Sequence, residues 1–375
     1  MPGNSLDLLS NRSGTQPRRE RARAASSRVL AAIPVGLTLL PLWRTGRGWV
    51  RIWDFPRWQI AGLGVLAQAC MLRWANTHPG DRALAAVLGG SLLYQAARIL
   101  PYTPLYKHQV LPARDHRAER HIRLLMANVL QDNRRSDLML QAVKEASADI
   151  VCLVETDDWW EREMRPLERD YQWVNKCPLE NTYGILLYSR LPLTDSETRF
   201  LVEPQIPSMR AVVQLRSGQE IVLHAVHPRP PLPNSPTYGR DAELVLVGRE
   251  IDRVRKPAIV IGDLNDVAWS YTTTLFQRIS HTVDPRVGRG MFNTFHASHP
   301  LLRYPLDHVF HTRDFTLVEL RRLRHTGSDH FPILVELAYN PARKDEMERP
   351  DTTEADKSNV EGILEDARDA GLTLS

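Results

Sequence analysis

Carboxylate, amide and imidazole side chains recur in this sequence where apolar runs stop. Asn128 closes IRLLMANVL (122–130), and Glu155 closes DIVCLVET (149–156). His227 closes IVLHAVH (221–227), while Asp263 and Asn265 follow the apolar part of PAIVIGDLND (257–266). Asp307 and His308 lie within YPLDHVFHT (304–312), and Ser328, Asp329 and His330 open HFPILVEL (330–337). Carboxylate and amide oxygens suit a hard cation, Mg2+ or Mn2+. Such a cation neutralises charge on a phosphoryl oxygen and on the leaving oxygen. An aspartate beside a histidine sets its tautomer and holds an imidazolium. Together these types point to phosphoester hydrolysis. Any one of them has a plainer explanation, since an aspartate after a strand is commonly a turn residue. The repetition at strand ends carries the reading, because strand ends converge on one rim of a sheet, where ligands bind. There is no Gly-rich P-loop and no G-x-S-x-G elbow, which argues against nucleoside triphosphatase and serine-hydrolase chemistry. Three scattered cysteines, Cys70, Cys152 and Cys177, argue against a structural zinc site.

The elements that position these residues are short. Besides the runs above, GILLYSRLPL (184–193), AVVQL (211–215) and FTLVELRRL (315–323) read as strands, while Ser136 to Ala146 and Asp241 to Val254 have helical spacing. Strands following strands, with few helices, imply packed sheets under helical cover.

Ahead of this region the texture differs. Residues 1–28 are polar and basic and are expected to be disordered. Residues 29–106 hold three apolar segments, at 29–43, 58–75 and 83–105, rich in flanking tryptophan and arginine and poor in acidic residues. Each uninterrupted core is near 15 residues, short of the roughly 20 that cross hydrocarbon upright, but snorkelling and interfacial anchoring extend the span. Three in a row favour a multi-pass membrane region over a soluble bundle. Six arginines before the first segment favour a cytoplasmic N-terminus, which places the large domain outside, in the periplasm of an inner membrane, although the arginine count over the two sides nearly balances. Residues 107–120 read as a Pro-rich, charged linker. The net charge of +4 hides an acidic end, since residues 341–375 carry ten acidic against five basic side chains. Residues 339–375 are expected to be a mostly disordered tail, with a short helix near 360–370.

From about His121 to Leu337 the sequence resembles the endonuclease/exonuclease/phosphatase superfamily, which includes deoxyribonucleases, abasic-site endonucleases, neutral sphingomyelinases and inositol polyphosphate 5-phosphatases. The resemblance lies in seven motifs in order: MANV, CLVET, GILLYSRLPL, HAVHPRPP, GDLND, PLDHVF and SDHFPI. It implies a four-layer sandwich, two packed mixed β-sheets flanked by helices, over residues 121–338. It also implies roles. Glu155 is the principal metal ligand with Asn128 beside it, and Asp329 is a candidate for a second metal or phosphate contact. His330 lies by the scissile phosphate, polarised by Asp307. Asp263 positions or deprotonates water, Asn265 binds a phosphate oxygen, and His227 contacts the phosphate. Arg229 is in reach of an anion. His281, His296, His308 and His325 are assigned structural or surface places. The apolar N-terminal region resembles that of a bacterial membrane-anchored subgroup.

Three functions follow in order. The first is a membrane-anchored Mg2+- or Mn2+-dependent phosphodiesterase acting on nucleic acid as an endonuclease. That reading calls for a basic groove, with Arg134, Arg135, Arg229, Arg286, Arg289 and Arg303 as contributors. The second is a phospholipid or small-molecule phosphoesterase, and the third a catalytically silent binding domain. No protein partner is legible.

Overall fold

The computed structural model describes residues 15–75, 78–114 and 117–375. The described chain falls into two units. One is built from the chain up to Thr45 together with Pro56–Leu100, the other from Gly46–Phe55 with Pro101–Ser375.

The first unit holds α1 (Thr15–Leu39), α3 (Arg57–Trp74) and α4 (Pro79–Ile99). The one-turn α2 (Gly48–Arg51) belongs to the other unit. The seam of the three helices is narrow: Ala31, Ala67, Met71, Ala75 and Leu88. A polar string crosses it. Arg28 Nε donates to Asp81 Oδ1 at 2.6 Å, Gln95 Nε2 to Thr38 Oγ1 at 2.9 Å, and Arg57 Nη1 to Gln95 Oε1 at 3.2 Å. Apolar side chains face outward, with Val29, Val65 and Leu93 64%, 61% and 75% exposed. Two stretches, Arg18–Leu42 and Pro79–Tyr102, are long and apolar enough to cross a membrane. Three such helices were expected. The middle one, α3, carries Arg57, Gln59, Gln68 and Arg73 within 18 residues and is not among them.

The second unit contains β1 (His121–Asn128), β2 (Ile150–Val154), β3 (Trp173–Cys177), β4 (Ile185–Ser189), β5 (Leu193–Arg199), β6 (Ser208–Gln214), β7 (Glu220–Val226), β8 (Ala258–Asp263), β9 (Asp307–His311), β10 (Phe315–Arg322) and β11 (Ile333–Tyr339). A six-stranded sheet runs β10-β11-β1-β2-β4-β3, and a five-stranded sheet β5-β6-β7-β8-β9. Among the strands described, β1/β2 and β7/β8 pair in parallel and the rest antiparallel. The central strands are apolar on both faces, and their period of two divides each between two cores, while the edge strands β3 and β5 are partly exposed. Leu124, Met126, Ile150 and Cys152 meet Leu223, Ala225, Ile259 and Ile261 between the sheets. Leu125, Ala127, Val151 and Leu153 face outward with Met139 and Val143 of α5 (Ser136–Ala146) and Trp160 of α6 (Asp158–Met164). Val222, Val226 and Val260 do the same with α7 (Tyr238–Val254), α8 (Tyr271–Ser280) and α9 (Glu354–Asp369). This is the expected four-layer sandwich of two mixed sheets.

Several boundaries differ from expectation. Of the basic N-terminus expected to be disordered, residues 1–14 lie outside the described residues, and a helix begins at Thr15. The membrane region expected over 29–106 is interrupted, since Gly46–Phe55 belongs to the sandwich unit. The linker expected over 107–120 is in part an added edge of the sandwich. Val110 is fully buried, Ala113 N donates to Leu317 O at 2.7 Å, and Leu317 N to Leu111 O at 2.9 Å. The tail expected to be disordered over 339–375 carries α9. Thr353 and Asp356 form a capping box, and Val360, Leu364 and Ala367 enter the outer core. Its apolar residues are few but lie on one face, so a charged composition hid an amphipathic helix.

Candidate active site

Strand direction gathers the candidate residues. β1 and β2 are parallel, so Asn128 and Glu155 emerge at the same end. β11 is antiparallel to β1, so His330, just before it, arrives at that end too. On the other sheet β7 and β8 are parallel and β9 is antiparallel, which brings His227, Asp263 and Asp307 together, with Asp263 and Asp307 in register. A Cβ at Gly262 would lie 1.9 Å from Val226 O, at a φ of +157°, so glycine lets β8 close against β7 beside Asp263.

His330 is the centre. Its Nδ1 lies 2.7 Å from Asp307 Oδ2. A buried carboxylate accepts, so Nδ1–H donates and Nε2 points the other way, 3.6 Å from Asp263 Oδ2. Burial opposes protonation of this ring, but Asp307 and Asp263 outweigh it and raise its pKa to about 10. The imidazolium is therefore the resting form at neutral pH. His227 is the opposite case. Its Nε2 is 3.9 Å from Asp263 Oδ2, yet burial dominates and lowers its pKa to about 4. Neither of its ring nitrogens has a hydrogen-bond partner among the described residues.

Asn128 joins the two sheets. Its Nδ2 donates to Glu155 Oε1 at 2.7 Å and to Asp263 Oδ2 at 3.1 Å, and Leu130 N holds its Oδ1 at 2.9 Å. Glu155 sits at a φ of +59°, a left-handed conformation that costs on the order of 1–3 kcal/mol for such a residue. Burial pushes its pKa up to about 7, against the Asn128 hydrogen bond. Burial likewise raises that of Asp263, against the pull of His330.

The charges do not balance. Glu155, Asp263, Asp307 and Asp329 act on a site with one imidazolium, and Asp307 Oδ1 has no hydrogen-bond partner among the described residues. A divalent cation fits that deficit. Ligand atoms of Asp263, Asp307 and His330 lie within 4.8 Å of one another. His330 Nδ1 is spent on Asp307, however, so these three serve better as a proton-handling line, and Glu155, oriented by the Asn128 amide N–H, is the oxygen-donor side.

Residues 124–330, more than half of the chain, match the profile of the Endonuclease/Exonuclease/phosphatase family. The chain belongs to this family. Family members are phosphoester hydrolases that generally use a divalent metal. Solved structures with a similar fold include a humanized D. rerio TDP2 carrying 14 mutations, at 16% identity, covering 58% of this chain and 98% of that one, with a TM-score of 0.48. An endonuclease/exonuclease/phosphatase from Bacteroides vulgatus gives 19% identity, 59% and 99% coverage and a TM-score of 0.48. The human Nocturnin catalytic domain with bound sulfate gives 17%, 59% and 95%, and 0.47. No curated protein matched the sequence.

Around this family centre the remaining expectations fare unevenly. Asn265 follows Asp263 at a φ of +51°, and its Nδ2 donates to Pro228 O at 3.0 Å. Asp329 is half-buried beside Ser328, whose Oγ donates to Asn128 O at 2.7 Å. Arg229 is committed to Glu203, with Nη2 2.6 Å from Oε2. The expected basic groove does not form from the six arginines named. Arg134, Arg135 and Arg229 are ion-paired with Asp157, Asp137 and Glu203, and Arg286 is buried on Asp284. Arg289 and Arg303 donate to carbonyls of Val110 and Ala297. His308, read as structural, is a brace. Arg286 Nη2 can only donate to its Nδ1, at 2.5 Å, so its Nε2–H donates to Asp266 O at 2.8 Å. Sequence reasoning missed Thr294, whose Oγ1 holds Asp307 N at 3.2 Å, Tyr183 against His227 at 5.5 Å and Phe295 against His330 at 5.0 Å. These sit in loops with no periodicity to mark them.

Proposed function

We propose that this chain is a metal-dependent phosphodiester hydrolase that acts on nucleic acid and is held at a membrane by its N-terminal helices. The observation that carries the reading is the line Asp307–His330–Asp263, with Glu155 and Asn128 on the facing sheet. Asp307 keeps His330 charged, and its Nε2–H donates to an oxygen of the scissile phosphate. Asp263, buried with a raised pKa, orients water and takes its proton. Neutral His227 donates its ring N–H to a phosphate oxygen, and Asn265 keeps one amide hydrogen for the same group. Glu155, oriented by Asn128, would hold Mg2+ or Mn2+, with Asp329 at its edge. When bound, that ion supplies positive charge to the phosphoryl and leaving oxygens.

Nucleic acid is favoured by aromatic rings beside both histidines. Phe295 lies 5.0 Å from the His330 ring and Tyr183 5.5 Å from the His227 ring. Such rings can stack bases. Membrane attachment is supported by two helices of spanning length whose apolar faces point outward. With a basic leading segment in the cytoplasm, an odd number of spans would place the sandwich outside it and an even number inside, and a reporter fused after Ser375 reads the side.

The deciding experiment assays the full chain in detergent with Mg2+ or Mn2+ on single- and double-stranded DNA, RNA, bis-p-nitrophenyl phosphate and phospholipid vesicles. Metal-dependent cleavage of nucleic acid, lost in Glu155→Gln and His330→Ala, is expected. Cleavage that persists in both variants refutes the chemistry. Turnover confined to phospholipid refutes the substrate.

A further inference from the structure

The segment Gly46–Phe55 leaves the first N-terminal helix and leads to the next, and lies far outside the family-matched residues 124–330. It is nonetheless built into the sandwich. Arg47 forms a β-bridge with Pro236, and Thr237 N donates to Gly46 O at 2.7 Å. A Cβ at Gly48 would sit 1.8 Å from Leu232 O, so glycine lets the segment seat on the loop after His227. Trp269 Nε1 donates to Asp54 O at 2.7 Å, and Phe55 meets Tyr304 edge-on at 5.6 Å.

From this segment Arg51 points inward and is 3% exposed. Its Nη2 donates to Thr272 Oγ1 at 2.9 Å and lies 3.7 Å from Asp266 Oδ2, and its Nη1 lies 3.7 Å from Asp54 Oδ2. Arg240 reaches the same place from α7. Its Nη2 is 3.7 Å from Asp266 Oδ2 and 2.9 Å from Asp241 Oδ1, and its Nη1 donates to Asn265 O at 3.2 Å. Asp266 thus faces two guanidiniums. It also accepts from Ser270 Oγ at 2.5 Å. Asp266 is one residue past Asn265 and three past Asp263.

The turn it ends is not self-supporting. Asn265 is left-handed, and within the turn Asp263 Oδ1 takes the Asn265 N–H at 2.9 Å. Such conformations persist only where the surroundings over-determine them. Here those surroundings are two buried guanidiniums against the carboxylates of Asp54, Asp241 and Asp266. Without Arg51 one cation faces three acids, and a buried acid stripped of its partner drives local rearrangement. The rearrangement acts on the turn that holds Asp263.

We propose that Arg51 is a positioning residue for the reaction: the segment between the first two N-terminal helices sets the geometry of the Asp263–Asp266 turn. Turnover therefore depends on a part of the chain that the family profile does not include. The inference rests on the proposed chemistry for its kinetic effect, but its structural half is read independently.

The test uses the full chain in detergent, with Arg51→Met, Arg51→Lys, Thr272→Val and, as a stability control, Leu364→Ala in α9. Hydrogen–deuterium exchange is followed on peptides spanning 260–270 and on peptides from β1 and β11. Arg51→Met is expected to speed exchange in 260–270 about tenfold while leaving β1 and β11 unchanged. Arg51→Lys and Thr272→Val, which preserve the charge balance and the fold, are expected to do so to a smaller degree. Leu364→Ala is expected to leave 260–270 unchanged below its melting temperature. With bis-p-nitrophenyl phosphate and Mg2+, Arg51→Met is expected to lower kcat about tenfold or more with KM little altered, because misplacement acts on the chemical step. Unchanged exchange in 260–270 in both Arg51→Lys and Thr272→Val overturns the proposal, as does an equal change in Leu364→Ala. Absence of wild-type turnover, with the exchange result intact, strikes the proposed chemistry and leaves the positioning role standing.

Discussion

Two buried ionic clusters flank the turn after β8, and they follow opposite rules. Around His330 the carboxylates of Glu155, Asp263, Asp307 and Asp329 outnumber the cation, and Asp307 Oδ1 and both nitrogens of His227 lack hydrogen-bond partners among the described residues. Around Asp266 the fold itself brings two guanidiniums, Arg51 and Arg240, and the Ser270 and Val267 donors against the carboxylate, although Arg51 Nε and Arg240 Nη2 have no hydrogen-bond partner among the described residues. Both lie away from water, where an unmet polar atom is costly. In the proposed chemistry a bound cation completes the first cluster, whereas in the second the cations are supplied by the fold itself.

The sharpest way to break the comparison is to remove one member from each side. His330→Ala is expected to lower kcat on the order of 10^3-fold. It should also destabilise the fold, since Asp263 and Asp307 are left buried without the imidazolium between them; a variant that keeps wild-type turnover contradicts the assignment. Asp266→Ala should act first on stability, destabilising the sandwich by about 3–5 kcal/mol in denaturant titration, because two buried guanidiniums lose their shared acid. A loss under about 1 kcal/mol would show that the second cluster is not support.

Smaller effects test the periphery. Leu364→Ala on α9 is expected to cost about 2–4 kcal/mol, since its side chain is fully buried under α7. No measurable cost would return residues 339–375 to a solvated tail. The mildest test is Asp356→Asn. Asp356 receives Arg278 Nη2 at 2.7 Å, and that hydrogen bond holds its pKa down at about 2, below the ordinary 3.8. A depressed carboxylate stabilises the fold above its unfolded pKa and loses that contribution as pH falls through the folded value. Melting temperatures of wild type and variant should therefore differ fully at pH 7 and converge between about pH 4 and pH 2. A constant gap excludes the ion pair as its cause.

Strand-end residues were legible because three properties coincide in a linear run: apolar texture, its end and a polar residue there. Asn128, Glu155, His227, Asp263 and His330 show this, Asp307 was read from within its run, and the structure brings all six to one rim. What composition alone suggested was less durable. Arg286 read as a groove cation and is 1% exposed, and the acidic tail read as disordered and docks as α9. Charge in a sequence says nothing about whether a partner waits for it.

By itself, the sequence determined the family, the alternation of short apolar strands and the set of side chains at their ends, since local periodicity and ordered motifs survive in one dimension. Tertiary structure alone decided that His330 is the charged histidine and His227 the neutral one. Both are buried, and the difference is that Asp307 meets Nδ1 of His330 at 2.7 Å while among the described residues the Asp263 carboxylate stays 3.9 Å from His227. It also decided that Arg51, more than 200 residues before Asp263, stands behind the catalytic turn. Electrostatic energy depends on distance in space and on exclusion of water, neither of which is written along the chain.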